Sequence, residues 1–540
     1  MIRIDQIKVN VDNKTFDLRY LAAKKLGVDP SVITELGIIR RSIDARKKPA
    51  LFFIFSVWVK CSGEEKIIKR SKDRDVSFYE KKEYCLPPCG DAELKHRPVV
   101  VGLGPAGLFC ALKLAEAGFS PLVLERGRCV EERKEDVEKF WQTGVLDKSS
   151  NVQFGEGGAG TFSDGKLTTS IKDKSGRVTE VLKVFVNHGA PEEIIYDHMP
   201  HLGTDVLPGI IKSIREKIVS LGGEVRFECK LSGIKTDAGK IIGIIAESGN
   251  NSEEIPCEVL ILATGHSSRD TYKMLYDAGL KMEQKPFACG FRVQHRQSLI
   301  NRSQYGDERY AEILGAAPYK LTADFDGRGV FSFCMCPGGY VVNSSSEDGM
   351  TVVNGMSYSG RNSENANSAI VVSIPVSEYP SDHPLAGIDY QVNLEKKAFE
   401  LGGGLIPVQR YGDFKAKVTG EKVSCDTEDP EEISPVFKGG FRPADLTEIF
   451  DEEINNLFVN GMTRFGRMIP GFDFPGCIMA GVESRTSSPV RIPRNDELMG
   501  SVEGIIPIGE GAGYAGGITS AAADGLKGAE TIIRKFRPLQ

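Results

Sequence analysis

The sequence predicts an α/β fold wound on a parallel sheet, with a β-rich insertion and a small α+β unit ahead of it. Three observations predict it. An apolar run, Val99 to Val101, passes straight into Gly102-x-Gly104-x-x-Gly107 and a helix-like stretch to about Ala117. Far downstream, the strand-like run from Glu258 to Leu262, apolar from Val259, ends in Ala263-Thr264-Gly265. Near the C-terminus, Gly504 to Ile508 leads into Gly509-Glu510, a glycine-rich turn, and a helix beginning near Ile518. Short apolar runs closed by turn residues suit strands buried on both faces, as in a parallel sheet.

The first of these stretches is a complete βαβ unit, because Pro121-Leu-Val-Leu-Glu125-Arg126 supplies a second strand ending on an acid. Each glycine has a task. Gly102 makes the tight turn, Gly104 lets a pyrophosphate approach the backbone, and Gly107 lets helix and strand pack closely. Pro105 and Ala106 open the helix, whose N-terminal N–H groups and dipole favour phosphate. Glu125 is placed to accept hydrogen bonds from a ribose hydroxyl. The unit predicts dinucleotide binding without separating FAD from NAD.

Composition sets the outer bounds. At 540 residues two or three domains are expected. The 68 basic and 74 acidic residues nearly balance, which excludes a general nucleic-acid binder or a polybasic membrane protein. The N-terminus alternates like a strand and lacks a signal peptide's apolar core. The longest apolar run, Ala50 to Val59, is half the length a bilayer requires. Twelve cysteines without disulfide-like spacing predict a reduced, cytoplasmic setting.

In chain order, residues 1–90 form the small α+β unit, a ferredoxin-like sandwich in expectation: a strand over Ile2 to Val11, a helix over Phe16 to Leu26 and a strand over Leu51 to Lys60. The basic cluster Arg40, Arg41, Arg46, Lys47 and Lys48 reads as a solvated loop, or as a docking surface for an acidic partner or RNA. Cys85-Leu-Pro-Pro-Cys89 reads as a stiffened linker. Residues 95–280 carry the first part of the dinucleotide-binding domain. Within them Phe154 to Lys166 is glycine-rich but bracketed by aromatic and hydroxyl residues, unlike a Gly/Ser linker. It predicts a second set of close backbone approaches to a long ligand. A helix over Val206 to Leu221 and a small β-meander after Lys230 follow. Residues 281–484 are read as a β-rich cap or substrate domain, and residues 485–540 return to the first domain. Small residues Ala521 to Ala523, Gly525 and Gly528 let the last helix pack tightly there.

The whole pattern resembles flavoproteins of the two-dinucleotide-fold, glutathione-reductase-like superfamily. More narrowly it resembles a bacterial group of FAD-dependent, NAD(FAD)-utilizing dehydrogenases. The matching stretches are Arg40 to Lys48, Gly157 to Lys166, Phe333-Cys-Met-Cys-Pro-Gly-Gly339, Asn354-Gly-Met-Ser-Tyr358 and Glu483-Ser-Arg-Thr-Ser-Ser-Pro-Val-Arg491. The resemblance implies a Rossmann-like FAD-binding domain (three-layer ββα). It implies that Gly102, Gly104 and Gly107, with Pro105 and Ala106, line the FAD pyrophosphate, and that Glu125, beside Arg126, holds the adenosine ribose. Leu231 would touch adenine. Gly158, Ala159, Gly160 and Thr161, with Lys166, would pass near the flavin, as would the return at Ala263, Thr264 and Gly265. At Gly509-Glu510 the acid bonding the ribityl chain is a glutamate where many relatives have aspartate. The backbone at Gly517, Ile518 and Thr519 would face the flavin N1/O2 edge.

The flavin implied in this way carries the redox chemistry, and the protein orients substrate against N5. Catalytic candidates are few. Cys334-x-Cys336 reads as a redox dithiol or as two thiols packing on one strand face. His266 either steadies its turn or faces the cofactor, and His295 reads as a plain surface or interface histidine. Arg292 lies on a strand beside it. Arg464, Arg467 and Arg485 are expected to collect at the domain junction, clamping a carboxylate or phosphate or bridging domains. Tyr358 is a candidate proton donor. No metal-ligand cluster stands out. No second Gly-x-Gly-x-x-Gly follows directly on a clear strand, which argues against a dedicated NAD(P)H domain and leaves NAD(P)H the part of a transient electron donor. The expectation is an FAD-dependent oxidoreductase exchanging hydride between flavin N5 and a small substrate, with an RNA-modification or interaction protein as its rival.

Overall fold

The computed structural model describes residues 1–71, 73–421 and 433–539. The N-terminal unit runs β1 (Ile2–Asn10), α1 (Leu18–Leu26), β2 (Ile33–Asp44), β3 (Phe52–Cys61), α2 (Glu64–Arg70) and β4 (Val76–Phe78). Its sheet order is β2-β3-β1-β4. Along β1 the buried residues are Ile2, Ile4, Ile7 and Val9. The period of two slips once, at Gln6, whose left-handed backbone (φ 57°) marks a bulge in the pairing with β3. Helix α1 is capped by the Asp17 carboxylate and closed by left-handed Gly27.

The second unit contains β5 (Val99–Val101), α3 (Pro105–Glu116), β6 (Leu122–Leu124), α4 (Val130–Thr143), α5 (Arg177–Asn187) and α6 (Leu207–Ser220). These are followed by β7 (Glu224–Arg226), β8 (Lys230–Asp237), β9 (Lys240–Ser248), β10 (Asn251–Pro256), β11 (Leu260–Leu262), α7 (Arg269–Asp277) and β12 (Glu283–Gln284).

The third stretch is less purely β than its loops suggest. It holds β13 (Phe287–Arg296), α8 (Gln297–Tyr305), α9 (Ala311–Leu314), β14 (Thr322–Phe325), β15 (Arg328–Cys336), β16 (Tyr340–Asn343), β17 (Val353–Met356) and β18 (Asn365–Ile374). It continues through α10 (Ala386–Gly402), β19 (Ile406–Arg410), α11 (Tyr411–Thr419), β20 (Phe437–Lys438), β21 (Phe441–Pro443), α12 (Glu452–Met468) and β22 (Ile478–Glu483). A seven-stranded sheet, β14-β15-β18-β13-β22-β19-β21, is its backbone. Against it packs α12, burying Ile454, Phe458, Met462 and Phe465 at helical spacing around Phe291.

The chain closes with β23 (Val490–Arg491), which pairs with β12, then β24 (Ile505–Pro507) and α13 (Ile518–Lys535). A five-stranded sheet now completes as β24-β11-β5-β6-β7, every pair parallel. Counted in chain order within that sheet, the strands read 3-2-1-4-5 outward from β7. One face carries α3, α5, α6 and α13 on Val100, Val123, Ile261 and Ile506. The other carries the antiparallel sheet β10-β9-β8, with Leu231, Ile244 and Ala246 against Val99, Leu122 and Leu260. The core is therefore three layers: meander, parallel sheet, helices. Small residues let the outer layer close, since a Cβ on Gly525 of α13 would collide with the Ala106 carbonyl of α3.

The basic cluster of the N-terminal unit is largely satisfied from within the chain. Arg41 makes a bidentate pair with Asp197 (2.6 and 2.9 Å), Arg40 bonds His198 (2.8 Å), and Lys48 donates to the Ser303 carbonyl. Arg46 folds back on Asp44. The linker is tied down as well, Gly90 and Ala92 donating to the Ile533 and Lys535 carbonyls at the end of α13. Eleven cysteines of the described residues are free thiols, and Cys425 lies outside those residues. Among the described residues no helix is long and apolar enough to cross a membrane.

Candidate functional site

A cleft of about 380 Å³ opens at the C-terminal ends of the parallel strands and reaches under the seven-stranded sheet. This is where an open parallel sheet offers a ligand its crevice, between β5 and β11 where the winding direction reverses.

Its middle is bare main chain. Gly102 is left-handed (φ 95°), and a Cβ there would collide with the Ala263 carbonyl. One on Gly107 would collide with the Gly102 carbonyl, so these two glycines are dictated by packing, and Gly107 sits behind the cleft wall. Gly104 differs: a Cβ there would meet only the Gly158 Cα, at 3.7 Å. Gly104 and Gly158 are thus two glycine loops facing across a narrow gap, with Pro105, Ala106, Ala159 and Gly160 beside them on the cleft. Helix α3 starts at Gly104 and α13 at Gly517, neither with a side-chain cap. Gly517 (φ 119°) has open space where a side chain would be. Two helix N-termini therefore present unmet N–H groups at one cavity, along with Ile518 of α13.

The glycine loop is shaped by a residue that sequence reasoning passed over. Arg133, on α4 and fully buried, donates to the carbonyls of Asn151, Val152, Gly155, Glu156 and Gly158. Burial lowers its guanidinium toward about 10, with Glu125 and Glu156 opposing. Thr161 is buried just behind this loop rather than on the cleft.

At one end of the cleft lie Leu231, Glu125 and Arg126. Glu125 already accepts three backbone N–H groups: Leu103 on Oε2 (2.8 Å), and Gly127 and Gly155 on Oε1 (both 3.0 Å). One lone-pair site on Oε2 remains for a ligand hydroxyl. Arg126 pairs with Asp270 (2.9 and 3.1 Å) and stacks on Phe154 at 4.2 Å.

At the other end Thr264, Gly265, His266 and Glu510 meet Lys166, Phe333, Cys334, Asn354, Glu483 and Arg485. Burial, then Arg485 and Arg269, push the His266 imidazole down to about 3, so it is neutral at physiological pH. Its Nδ1 is buried without a partner, and Nε2 lies 3.8 Å from Glu510. Burial lifts the Glu510 carboxyl to about 7 against the pull of Lys285, and lifts Glu483 to about 7 against Arg292. Gly509 and Thr519 stand one layer back, Gly509 donating to Asp524 (2.7 Å) and the Thr519 hydroxyl to the Leu167 carbonyl (2.8 Å).

Several sequence expectations are corrected here. Arg292 is fully buried behind the cleft wall, bonded to Glu483 (2.9 Å), Asn367 (2.6 Å), Asn354 (3.1 Å) and the Cys334 carbonyl (3.0 Å). Arg464 and Arg467 do not join Arg485, because they fall on the exposed outer face of α12. Arg485 does line the cleft, but its donors are engaged: with Arg269 it grips the fully buried Glu395 through contacts of 2.7–2.9 Å, and it also donates to Ser346. Tyr358 packs against Tyr340 (5.7 Å) away from the cleft, with the Lys438 ammonium over both rings. His295 is fully buried, stacked on Phe472 at 4.1 Å, and its Nε2 meets the Phe472 carbonyl. The two cysteines do not share a regular strand face, since the register of β15 breaks between Phe333 and Cys336 and Cys334 is left-handed (φ 43°).

The glycine cradle, the two uncapped helix ends and a cleft lined from Glu125 to Glu510 fit an extended dinucleotide. Residues 286–486 match the family described as FAD-dependent protein, C-terminal domain-like, and residues 1–60 match a domain of unknown function. An uncharacterized protein of Clostridium beijerinckii is 47% identical over 540 residues, covering 99% of each chain. L-proline dehydrogenase from P. horikoshii is similar at 11% identity over 82% of this chain and 94% of that one, with a TM-score of 0.35. A geranylgeranyl bacteriochlorophyll reductase-like protein from Thermoplasma acidophilum is similar at 12% identity over 82% and 78%, with a TM-score of 0.34. The whole-length identity and the domain match together give the conclusion: the chain belongs to one family with the Clostridium protein, its residues 286–486 match the FAD-dependent C-terminal domain, and its cofactor is FAD.

Proposed function

We propose that the protein is an FAD-dependent oxidoreductase whose small substrate is held between the seven-stranded sheet and the cofactor. The observation that carries this reading is one continuous cleft, running from Glu125 and Leu231 to a wall of Cys334, Asn354 and Glu483. In it the parallel-sheet unit acts as a Rossmann-like dinucleotide domain, the seven-stranded unit as the cap, and the N-terminal unit as a ferredoxin-like appendage. Bound FAD supplies the acceptance and donation of hydride.

The chain's own residues do the rest. The N–H groups of Gly104 and Ala106, either side of Pro105, would hold the diphosphate, and the free site on Glu125 Oε2 would hold a ribose hydroxyl. The α13 N-terminus at Gly517 and Ile518 stabilises negative charge on the flavin edge, an effect worth up to about 2 kcal/mol when partly buried. Glu510, poised near neutrality, holds or releases a proton beside neutral His266. Lys166 places a cation at the substrate end, suited to a carboxylate or phosphate on the substrate. The basic cluster at Arg40 to Lys48 has no part in this reading.

The test is anaerobic reduction of the holoprotein by NADH, NADPH and a panel of small metabolites, following the flavin's visible absorbance. Bleaching by at least one is expected. Bleaching by a chemical reductant alone would reduce the claim to flavin binding.

A further inference from the structure

Two thiols at the substrate end have surroundings that ordinary packing does not require. Cys334 lies on the cleft wall, half-buried, between Phe333 and the Lys166–Met335 contact. Its left-handed backbone (φ 43°) is uncommon for a residue with a side chain, and such residues gather at functional sites. The break in the β15 ladder that permits it brings Cys336 round behind. The Cys336 thiol turns back on its neighbour and donates to the Cys334 carbonyl at 3.2 Å. The Arg292 guanidinium lies 3.7 Å from the Cys336 sulfur and 3.0 Å from the Cys334 carbonyl. Glu483, on the same cleft wall, pairs with that guanidinium.

We propose that Cys334 and Cys336 form a dithiol–disulfide pair that exchanges two electrons with the bound flavin. In the oxidising direction the S–S bond forms and both S–H bonds break. The electron pair and the two protons pass to FAD, giving FADH2, and the reverse step regenerates the dithiol. Cys334, beside two cations and at the cleft, is the sulfur that faces the flavin, while Cys336 is the resolving partner. The neighbouring Cys336 thiol lowers the Cys334 thiol well below its ordinary value, and Arg292 and Lys166 act the same way against burial. Burial raises Cys336. This arrangement rests on the FAD-dependent oxidoreductase reading, but its half-reaction needs no substrate.

The experiment is an anaerobic dithionite titration of the holoprotein, paired with mass analysis of the peptide carrying both cysteines after air oxidation and alkylation. Wild type is expected to take up two electron pairs per flavin, where flavin alone takes one. Its oxidised peptide should resist alkylation and weigh two hydrogens less. Cys334→Ser, on the cleft wall, should halve the uptake to one pair. Uptake of one pair by wild type, with both thiols fully alkylated after oxidation, would overturn the proposal. Should Cys334→Ser misfold, the wild-type stoichiometry and peptide mass decide alone. A flavin that bleaches with dithionite while the thiols stay reduced sinks this pair without touching the oxidoreductase reading. Failure of that reading would instead appear as substrates that never bleach the flavin.

Discussion

Gly104→Ala separates the cofactor cradle from the fold that carries it. The backbone at Gly104 (φ −72°, ψ −177°) is open to any residue, and a Cβ there would meet only the Gly158 Cα at 3.7 Å. Alanine restricts the unfolded chain, which stabilises by about 0.4–1 kcal/mol. It is also a poorer helix N-cap than glycine, which offsets much of that gain. The flavin-free protein should therefore stay within about 1 kcal/mol of wild type. The methyl group nevertheless enters the gap between the two glycine loops, where the diphosphate must come close. Losing one charge-assisted hydrogen bond to a phosphate costs about 1.5–3 kcal/mol, or roughly a 10- to 150-fold rise in Kd. Fluorescence titration with FAD and thermal melting of the flavin-free protein measure the two quantities separately. Wild-type FAD affinity in the variant would refute the cradle assignment. Gly107→Ala is the contrast, because its Cβ collides with main chain and should lower the melting temperature before any cofactor is added.

Glu125→Ala should cost the flavin-free protein at least about 3 kcal/mol, since three buried N–H groups lose their acceptor at about 1–3 kcal/mol each; unchanged denaturant midpoints would contradict this. The Glu510 carboxyl, lifted to about 7 by burial, binds its proton more tightly folded than unfolded. It therefore adds stability at low pH that is lost as pH rises from about 4.5 to about 7. Glu510→Gln should flatten the melting-temperature profile of the flavin-free protein across that window, and parallel profiles for the two proteins would count against it. Arg485→Ala leaves the buried Glu395 with Arg269 as its one remaining guanidinium, and the lost charged hydrogen bonds should destabilise by about 1.5–3 kcal/mol in chemical denaturation. Arg464→Ala, on an exposed helix face, should stay within about 0.5 kcal/mol.

The strand–turn–helix at Val99 to Glu116 was legible because glycine there is imposed by backbone geometry, which leaves its mark in residue identity. The start of α13 at Ile518 was legible for the same reason, with Gly516 and Gly517 before it. Helices α10 and α12 escaped because their apolar residues are interleaved with polar ones between long loops, and a search for alternating strands passes over a period of 3.6. Arg133 escaped because a charged residue in a charged helix reads as solvated. Only the closed structure reveals five carbonyls converging on its guanidinium. The bulge at Cys334 left no trace in the alternation around it, since a register break changes where side chains point without changing what they are. Arg464 and Arg485 carry the same side chain, and whether either reaches the cleft depends on helix phase and chain path.

The parallel sheet begins at Val99 and does not close until Ile505, and α3 lacks the α13 side of its packing until Gly525 meets Ala106. On a ribosome the phosphate-binding turn is thus made early and left unsupported while the entire intervening stretch emerges. Pairing over so long a separation in sequence is slow. Nascent chains halted before α13 should expose the apolar face of α3, offering chaperones a surface to hold and giving FAD no finished seat until synthesis is nearly complete.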